Sequence, residues 1–289
     1  MIHPGLSAVL FASFVFFLAK FLSFFDHKPD QPEFFSQTII KSYPTDPTCF
    51  LQGLVLLDSS HLLQSCGMFG ESRLQISDFF GQVNEIFRPP KFVFLEGLAI
   101  SGNSAHVLTW KNRIRYTVSL KGNNPMKSPY PLEGWGMATR PDESGFVTSN
   151  GTEYLTFFDE RMQIKSTCAV LMKTDGRYIP VNYINHLTWS KYDNLIYANI
   201  YAYFDEFNYL LGIDSDTCAV IRVLEMRGLH QHVQDTRSDV FNGAIALSKD
   251  TFLVSGKNWG RIYEIQAQLT SIFHINKLVD ILLGPNPLG

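Results

Sequence analysis

Charged residues are scarce in this chain of 289 residues, and they are scattered rather than clustered. Asp, Glu, Lys and Arg make up 18% of the sequence, and 24 basic residues face 27 acidic ones, for a formal net charge of −3. A nucleic-acid-binding domain carries a dense basic patch that neutralises phosphates. The absence of such a patch argues against a DNA or RNA partner.

Motifs that hold metals, phosphates or a nucleophile are also missing. The cysteines form no CxxC pair and have no histidine at metal-ligand spacing, and neither a glycine-rich phosphate loop nor a nucleophile elbow occurs. His230 and His232 lie in a polar segment without a third ligand, so we expect no metal and no cofactor. In an oxidising compartment one or two disulfides can form, although buried free thiols are an equally good interpretation. The cysteines are Cys49, Cys66, Cys168 and Cys218.

The first thirty residues differ from the rest because they are mostly apolar. Gly5 to Ala19 contains only apolar or small residues, Lys20 interrupts the run, and Phe21 to Phe25 continues it. About twenty such residues can just span a bilayer. The segment lacks a basic start and an obvious cleavage site, which favours a retained anchor over a cleaved peptide. We predict that residues 1–30 are a hydrophobic anchor helix or signal peptide, so that the protein is membrane-anchored or secreted through the secretory pathway.

The rest of the chain is rich in aromatic and β-branched residues and contains a repeat. Aromatic residues make up 14% of the sequence, and short runs of Val, Ile and Thr favour strands over helices. A short apolar segment, usually with a glycine, recurs at intervals of roughly 40 to 50 residues, a period typical of propeller blades. The five segments are FLQGLVLL from Phe50, FLEGLAIS from Phe94, EGWGMATR from Glu133, INHLTWSK from Ile184 and FNGAIALS from Phe241.

Two or three further strand patterns follow each of these segments, which is the arrangement of a four-stranded blade. The sequence therefore predicts an all-β fold, a five-bladed β-propeller, over residues 36–268. Ser36 to Pro44 reads as a strand without a partner, and we expect it to complete the fifth blade, since a closed ring avoids an exposed edge. Residues 228–239 are expected to form a loop over one face, and residues 269–289 a C-terminal tail or short helix.

The inner strands carry motifs that resemble those of the plant-type glutaminyl cyclases. YPTDPTCFLQGL from Tyr43 is similar to the opening motif of that family, and FLEGLAI, LTWK, EGWGMAT, INHL with ANIY, and FNGAIA with SGKNW follow in the family's order up to about Gln266. Each motif alone is weak, but the ordered set is specific. The resemblance implies a glutaminyl-peptide cyclotransferase, an acyltransferase that converts the N-terminal glutamine of peptides or proteins to pyroglutamate, releasing ammonia without a metal.

The resemblance also implies a site where the inner strands of several blades meet. Glu96 matches the family's acid and base, so we expect it to shuttle a proton. Its aromatic neighbours would desolvate the carboxyl and raise its pKa. Eight further positions match substrate-binding residues of the family: Phe50, Gln52, Phe94, Trp110, Trp135, Asn185, Tyr201 and Lys257.

Other interpretations fit these residues when each is considered alone. Glu96 can close a structural hydrogen bond, tryptophans often fill cores, and Lys257 can be a solvated lysine at a strand end. The chain also departs from the family, with His186 where a glutamate is common and Tyr201 where a tryptophan is usual. Two alternatives therefore stay open: a catalytically silent propeller that binds a partner protein, and a metal-dependent propeller hydrolase, although few inner-strand acids are available for a metal.

Overall fold

The computed structural model describes residues 31–122, 125–201, 208–226, 228–229, 240–271 and 275–283. Within these ranges the chain forms twenty-two β-strands and one α-helix, α1 (Ile275–Leu283), so the all-β prediction is confirmed. No helix in the described ranges is long and apolar enough to cross a membrane. The predicted anchor at residues 1–30, and all but the first two residues of the predicted loop at 228–239, lie outside the described residues.

Three consecutive segments each fold into a separate four-stranded antiparallel sheet. Within a sheet the strands follow one another in chain order, which is possible because antiparallel neighbours need only short turns. The first sheet contains β2 (Leu51–Leu56), β3 (His61–Cys66), β4 (Arg73–Asp78) and β5 (Val83–Phe87). The second contains β6 (Leu95–Ser101), β7 (Ser104–Thr109), β8 (Ile114–Ser119) and β9 (Met126–Pro129). The third contains β10 (Met137–Thr139), β11 (Gly145–Thr148), β12 (Tyr154–Asp159) and β13 (Ile164–Ala169).

The fourth sheet has ten strands and contains two further meanders of the same kind. One meander is β16 (Ile184–Trp189), β17 (Leu195–Ile200), β18 (Tyr209–Asp214) and β19 (Ala219–Glu225). The other is β20 (Phe241–Ala246), β21 (Thr251–Gly256) and β22 (Arg261–Leu269), with β1 (Glu33–Pro44) at its outer side. A hairpin, β14 (Leu171–Thr174) and β15 (Arg177–Pro180), pairs in parallel with β19 and was not predicted.

The first strand of the chain pairs with the last one. Along β1 and β22 the register runs from Phe35 opposite Leu269 to Pro44 opposite Arg261. Three residues at the start of β1 also pair in parallel with β19, and this contact joins the two meanders into one sheet. The strand predicted at Ser36–Pro44 thus covers the outer edge of β22, an edge that would otherwise be open to pairing with other chains.

The first strands of the five meanders enclose a common axis. β2, β6, β10, β16 and β20 contact one another in that order, and β20 contacts β2. Glycine permits this approach: a Cβ on Gly97 would lie 2.6 Å from backbone atoms of Gly136, and a Cβ on Gly136 would overlap the carbonyl oxygen of Asn185. This is the close packing that the inner-strand glycines predict.

A separate hydrophobic cluster fills each interface between neighbouring meanders. Between the first two sheets, for example, Leu63 and Leu74 pack with Leu95 and Val107. All four are fully buried, and each such side chain contributes about 1.5–3 kcal/mol by leaving water. Helix α1 adds Leu278 to the cluster between the third sheet and the β16–β19 meander. The C-terminal segment therefore packs on the ring as a short helix.

All four cysteines form disulfides, whereas the sequence left open whether they are disulfides or buried free thiols. Cys49, just before β2, bonds to Cys66 at the end of β3, so this crosslink lies within the first sheet. Cys168 on β13 bonds to Cys218, which precedes β19, so the second crosslink joins two neighbouring meanders at their outer strands. Both bonds restrict the unfolded chain and thereby favour the folded ring.

Candidate active site

A cavity of about 190 Å³ lies where the first strands of the meanders begin. Because these strands run side by side around the axis, their first residues meet at the same end. All nine residues predicted for the site line this cavity, and Met68 joins them. The predicted residues are Phe50, Gln52, Phe94, Glu96, Trp110, Trp135, Asn185, Tyr201 and Lys257.

Glu96 is the buried carboxyl of the cavity and lies on β6, with 6% of its surface exposed. Its backbone carbonyl accepts a hydrogen bond from Ser65 Oγ at 2.6 Å, and its Oε1 accepts one from Gln52 Nε2 at 3.4 Å. Burial raises the pKa of the Glu96 carboxyl well above its ordinary value of 4.5. The positive charge of Lys257 opposes this rise, and the negative charge of Glu133 adds to it.

Gln52 is oriented by a residue from the far end of the chain. The fully buried Asn242, on β20, donates from Nδ2 to Gln52 Oε1 at 2.7 Å and to the carbonyl oxygen of Leu51 at 2.8 Å. Because the Gln52 oxygen is occupied in this way, its amide nitrogen is left to face Glu96. The meander that begins with β20 therefore orients the Gln52 amide that contacts the Glu96 carboxyl.

The two tryptophans of the cavity share one hydrogen-bond acceptor. Trp110 Nε1 donates to Glu133 Oε1 at 2.6 Å, and Trp135 Nε1 donates to the same oxygen at 3.1 Å. Phe94 packs edge-on against Trp110 with their ring centroids 5.7 Å apart. Hydrogen bonds to a charged acceptor are stronger than neutral ones. Glu133 therefore holds both indoles in place as fixed walls.

Lys257 lies between two aromatic rings of the cavity. Its Nζ is 4.8 Å from the ring centroid of Phe50 and 4.4 Å from that of Tyr201, and only 3% of the residue is exposed. A desolvated cation over an aromatic face is stabilised by about 2 kcal/mol. Tyr201 also contacts Trp135 edge-on at 6.1 Å. Lys257 is thus a buried charge in the cavity and not a solvated lysine at a strand end.

Asn185 and His186 are neighbours on β16, and of the two Asn185 lines the cavity. Its backbone carbonyl accepts a hydrogen bond from Ser149 Oγ at 2.8 Å, while its buried Oδ1 has no partner within the described part of the chain. His186 is fully buried, and its Nε2 lies 3.0 Å from the carbonyl oxygen of Ala244. Burial lowers the pKa of His186 to about 4, so the ring is neutral at physiological pH. His186, where the chain departs from the family, is therefore not part of the cavity wall.

Four contributors to the site were not singled out from the sequence. Glu133 and Asn242 stand inside the inner-strand motifs EGWG and FNG, so polar residues next to the repeat glycines were the available signal. Met68 and Phe69 lie in the turn between β3 and β4, which no strand pattern marks. Their position beside the cavity depends on how neighbouring sheets pack.

The cavity combines aromatic walls with one buried carboxyl, one buried ammonium group and two buried amides. Among the described residues no group of three or more His, Cys, Asp or Glu side chains is placed to hold a metal ion. Side chains of this kind can enclose a small polar group, move a proton and stabilise a developing charge. The ring of antiparallel meanders and this cavity define a propeller-like protein with a candidate active site of buried polar groups.

Comparison with known proteins assigns the family. The model of the glutamine cyclotransferase family matches residues 13–267, and the chain therefore belongs to that family of acyltransferase enzymes. The glutaminyl-peptide cyclotransferase of Arabidopsis thaliana is 27% identical over 242 residues, which is 81% of this chain and 72% of that protein. The crystal structure of Myxococcus xanthus glutaminyl cyclase matches with a TM-score of 0.67 and 26% identity, covering 83% of this chain and 100% of that one.

Proposed function

We propose that this protein is a glutaminyl-peptide cyclotransferase that converts the N-terminal glutamine of peptides or proteins to pyroglutamate and releases ammonia. One observation carries the proposal: Glu96, a buried carboxyl with a raised pKa, lies in an aromatic cavity beside Gln52 and Lys257. Membership of the glutamine cyclotransferase family and the name of the Arabidopsis relative support the same reaction.

The size and lining of the cavity suit one curled glutamine. Its volume of about 190 Å³ is below the roughly 300–1,000 Å³ of pockets that take drug-sized ligands. Trp110 and Trp135 would hold the uncharged side chain folded back toward its own α-amine, while Phe50 and Phe94 keep water out. Because both reacting groups belong to one residue, holding this conformation supplies much of the catalysis.

Glu96 would carry the proton. The α-amine attacks the carbon of the side-chain amide, a new C–N bond forms, and the attacking nitrogen becomes positively charged. The Glu96 carboxylate removes a proton from this nitrogen and passes it to the departing amide nitrogen, which leaves as ammonia when the old C–N bond breaks. Glu96 ends as it began, and a pKa raised toward the working pH suits it to both transfers.

Lys257 and Asn185 would contact the oxygen and the nitrogen of the reacting substrate. The amide oxygen becomes negative when the amine adds, and the ammonium group of Lys257, placed close to the rings of Phe50 and Tyr201, would meet it. One preorganised donor of this kind is worth about 2.7–4 kcal/mol. The Oδ1 of Asn185, which has no partner among the described residues, can accept a hydrogen bond from the substrate's nitrogen.

Cyclisation by this route is metal-independent in our proposal, because side chains supply the positioning, the proton transfer and the charge stabilisation. The test is to incubate the purified protein with a Gln-initiated dipeptide, with and without a chelator, and to measure ammonia. An Asn-initiated dipeptide, whose shorter side chain cannot close the same ring, is the control. We expect the Gln-initiated dipeptide to release equal amounts of ammonia with and without the chelator. Binding of the dipeptide without turnover would instead favour the silent binding protein. Hydrolysis of a lactone that the chelator abolishes would favour the metal-dependent hydrolase.

We also propose that the five meanders are the blades of a five-bladed propeller formed by residues 36–268. The two meanders in the ten-stranded sheet each place their own first strand on the axis, and a hydrophobic cluster separates them as it separates the other sheets. β1 would then be the outer strand of the fifth blade, and its three residue pairs with β19 a contact between blades. An experimental structure with another number of blades would refute this count.

The two disulfides bear on where the protein resides. Disulfides persist in the secretory pathway and outside the cell and are rare in the cytosol. With the apolar segment at residues 1–30, they support the proposal that the chain enters the secretory pathway and is membrane-anchored or secreted. Fractionation of cells that express the full chain, combined with protease protection, tests this directly. A protein recovered with reduced thiols from the cytosol would refute it.

A further inference from the structure

The turn between β3 and β4 presents two large apolar side chains to solvent beside the cavity. Met68 is 43% exposed and Phe69 is 57% exposed. Met68 also lines the cavity itself, so the turn begins at its rim. Exposed apolar surface that continues a pocket commonly marks a binding site for more of the ligand. We call residues 67–72 the rim turn.

The rim turn is fixed rather than loosely exposed. The carbonyl oxygen of Met68 accepts hydrogen bonds from Ser72 N and Ser72 Oγ, each at 2.8 Å, and Gly70 N donates to the carbonyl oxygen of Lys91 at 2.8 Å. Met68 has a φ of 87°, a conformation that residues other than glycine rarely adopt. Such strain persists where the surroundings enforce it, typically at functional sites. The Cys49–Cys66 disulfide ends immediately before the turn.

Phe69 extends the aromatic wall of the cavity outward. Its ring centroid lies 5.4 Å from that of Phe94, at an interplanar angle of 71°, and 6.5 Å from that of Trp110. Phe94 and Trp110 both line the cavity. Consecutive residues of an extended peptide are about 3.3–3.6 Å apart along the chain. The residue that follows a glutamine bound in the cavity is therefore within reach of Phe69.

We propose that the rim turn is the subsite for the second residue of the substrate, with Phe69 and Met68 selecting a large apolar or aromatic side chain at that position. This inference rests on the proposed cyclotransferase function and narrows its substrate class. Met68 and Phe69 offer flat apolar surface, and the one charged residue of the turn, Glu71, is exposed and negative, so the subsite gives little to a second residue that is small or acidic.

The test compares two peptides of equal length, Gln-Phe-Ala and Gln-Gly-Ala, with the wild type and with Phe69→Ala. We expect the wild type to have a kcat/KM about tenfold higher for the phenylalanine peptide, mainly through a lower KM, since the contact is equal in ground state and transition state. Phe69→Ala should reduce this ratio about fivefold. The matched control is Phe80→Ala, which removes a phenylalanine that is 84% exposed in the turn at the opposite end of β4.

The outcomes separate the subsite from the reaction. No ammonia from either peptide with the wild type would overturn the proposed function. Turnover of both peptides with equal kcat/KM would overturn the subsite alone, as would a ratio that Phe69→Ala leaves unchanged or that Phe80→Ala lowers equally. A ratio that falls in Phe69→Ala and stays in Phe80→Ala supports the subsite.

Discussion

The two ends of the central axis are built from the same strands but differ in chemistry. Where the first strands begin, the cavity of about 190 Å³ is walled by aromatic rings and buries Glu96 and Lys257. Where the same strands end, a wider cavity of about 540 Å³ is lined by aliphatic side chains such as Leu57 and Ile100 together with the charged side chains of Arg140, Glu143 and Lys191. None of the ionisable residues that line this larger cavity is buried.

This difference shows that desolvated charge, rather than volume, distinguishes the candidate site. At the wide end Arg140 remains partly exposed, where it pairs with Asp142 and stacks on Trp189. Charges that stay in water cost little to keep, whereas buried charges are expensive and persist where a function or a paired network maintains them. The comparison predicts that substitutions at the two ends have unequal effects on turnover.

Glu96→Gln should have the largest effect. It keeps the shape of the side chain and removes the group that accepts and returns the proton, so kcat for a Gln-initiated dipeptide should fall about 100-fold or more. Ammonia release under saturating substrate measures this loss. Near-normal turnover in the folded variant would remove Glu96 from the mechanism.

The stability of the same variant provides an internal control. The pKa of Glu96 is raised in the folded protein, so between its ordinary value of 4.5 and the raised value the folded state binds more protons than the unfolded state. Stability contributed by this carboxyl is therefore lost as pH rises through that interval. Thermal melts should show wild type losing stability relative to Glu96→Gln as pH increases above 4.5. Parallel curves would contradict the raised pKa.

Glu133→Gln should have a smaller effect, on pH dependence. Removing this negative charge lowers the pKa of Glu96, so the acidic limb of the kcat/KM profile should move to lower pH. The glutamine oxygen can still accept from the tryptophans. Glu143→Gln, an exposed carboxyl at the wide end of the axis, is the control and should leave the profile in place. A shift in both variants, or in neither, would contradict the coupling of Glu133 to Glu96.

Arg140→Gln should have the smallest effect. It removes a charge from the wide end of the axis and should change kcat/KM by less than about twofold, because that end makes no contact with the reacting glutamine in our proposal. Steady-state kinetics on the Gln-initiated dipeptide measures it. A tenfold loss with unchanged melting temperature would show that both ends take part.

Much of the fold could be predicted from the repeat, whereas the site residues were predicted from the resemblance to the glutaminyl cyclases, and the repeat explains why they meet. Each inner strand has a short apolar segment and most have a glycine, and a ring that brings these strands together also brings together their first residues. Glu96, Asn185 and Gln52 therefore meet without any contact having to be known in advance. Trp110 and Lys257 directly follow the second strands β7 and β21, and Trp135 lies just before the first strand β10, so all three lie at the same end of the axis.

The features that were missed depend on local turns and on packing between sheets. Asp175 and Gly176, with φ of 48° and 72°, form the tight turn of the β14–β15 hairpin. Asp-Gly between alternating residues is a strong hairpin signal that was present in the sequence and not used. The position of Phe69 beside the cavity had no such signal, because it arises from contacts between sheets, and Glu133 had only a weaker one, a polar residue next to a repeat glycine.

The pairing of β1 with β22 also sets when the ring can close. Ser36 and Gln268, which face each other across this pair, are 232 residues apart in the chain. During synthesis β1 leaves the ribosome first and stays without its antiparallel partner until almost all of the protein has been made. Contacts of such long sequence separation form slowly and leave strand edges open meanwhile. The outer strand of the last meander is therefore in place only after nearly the whole chain has been made.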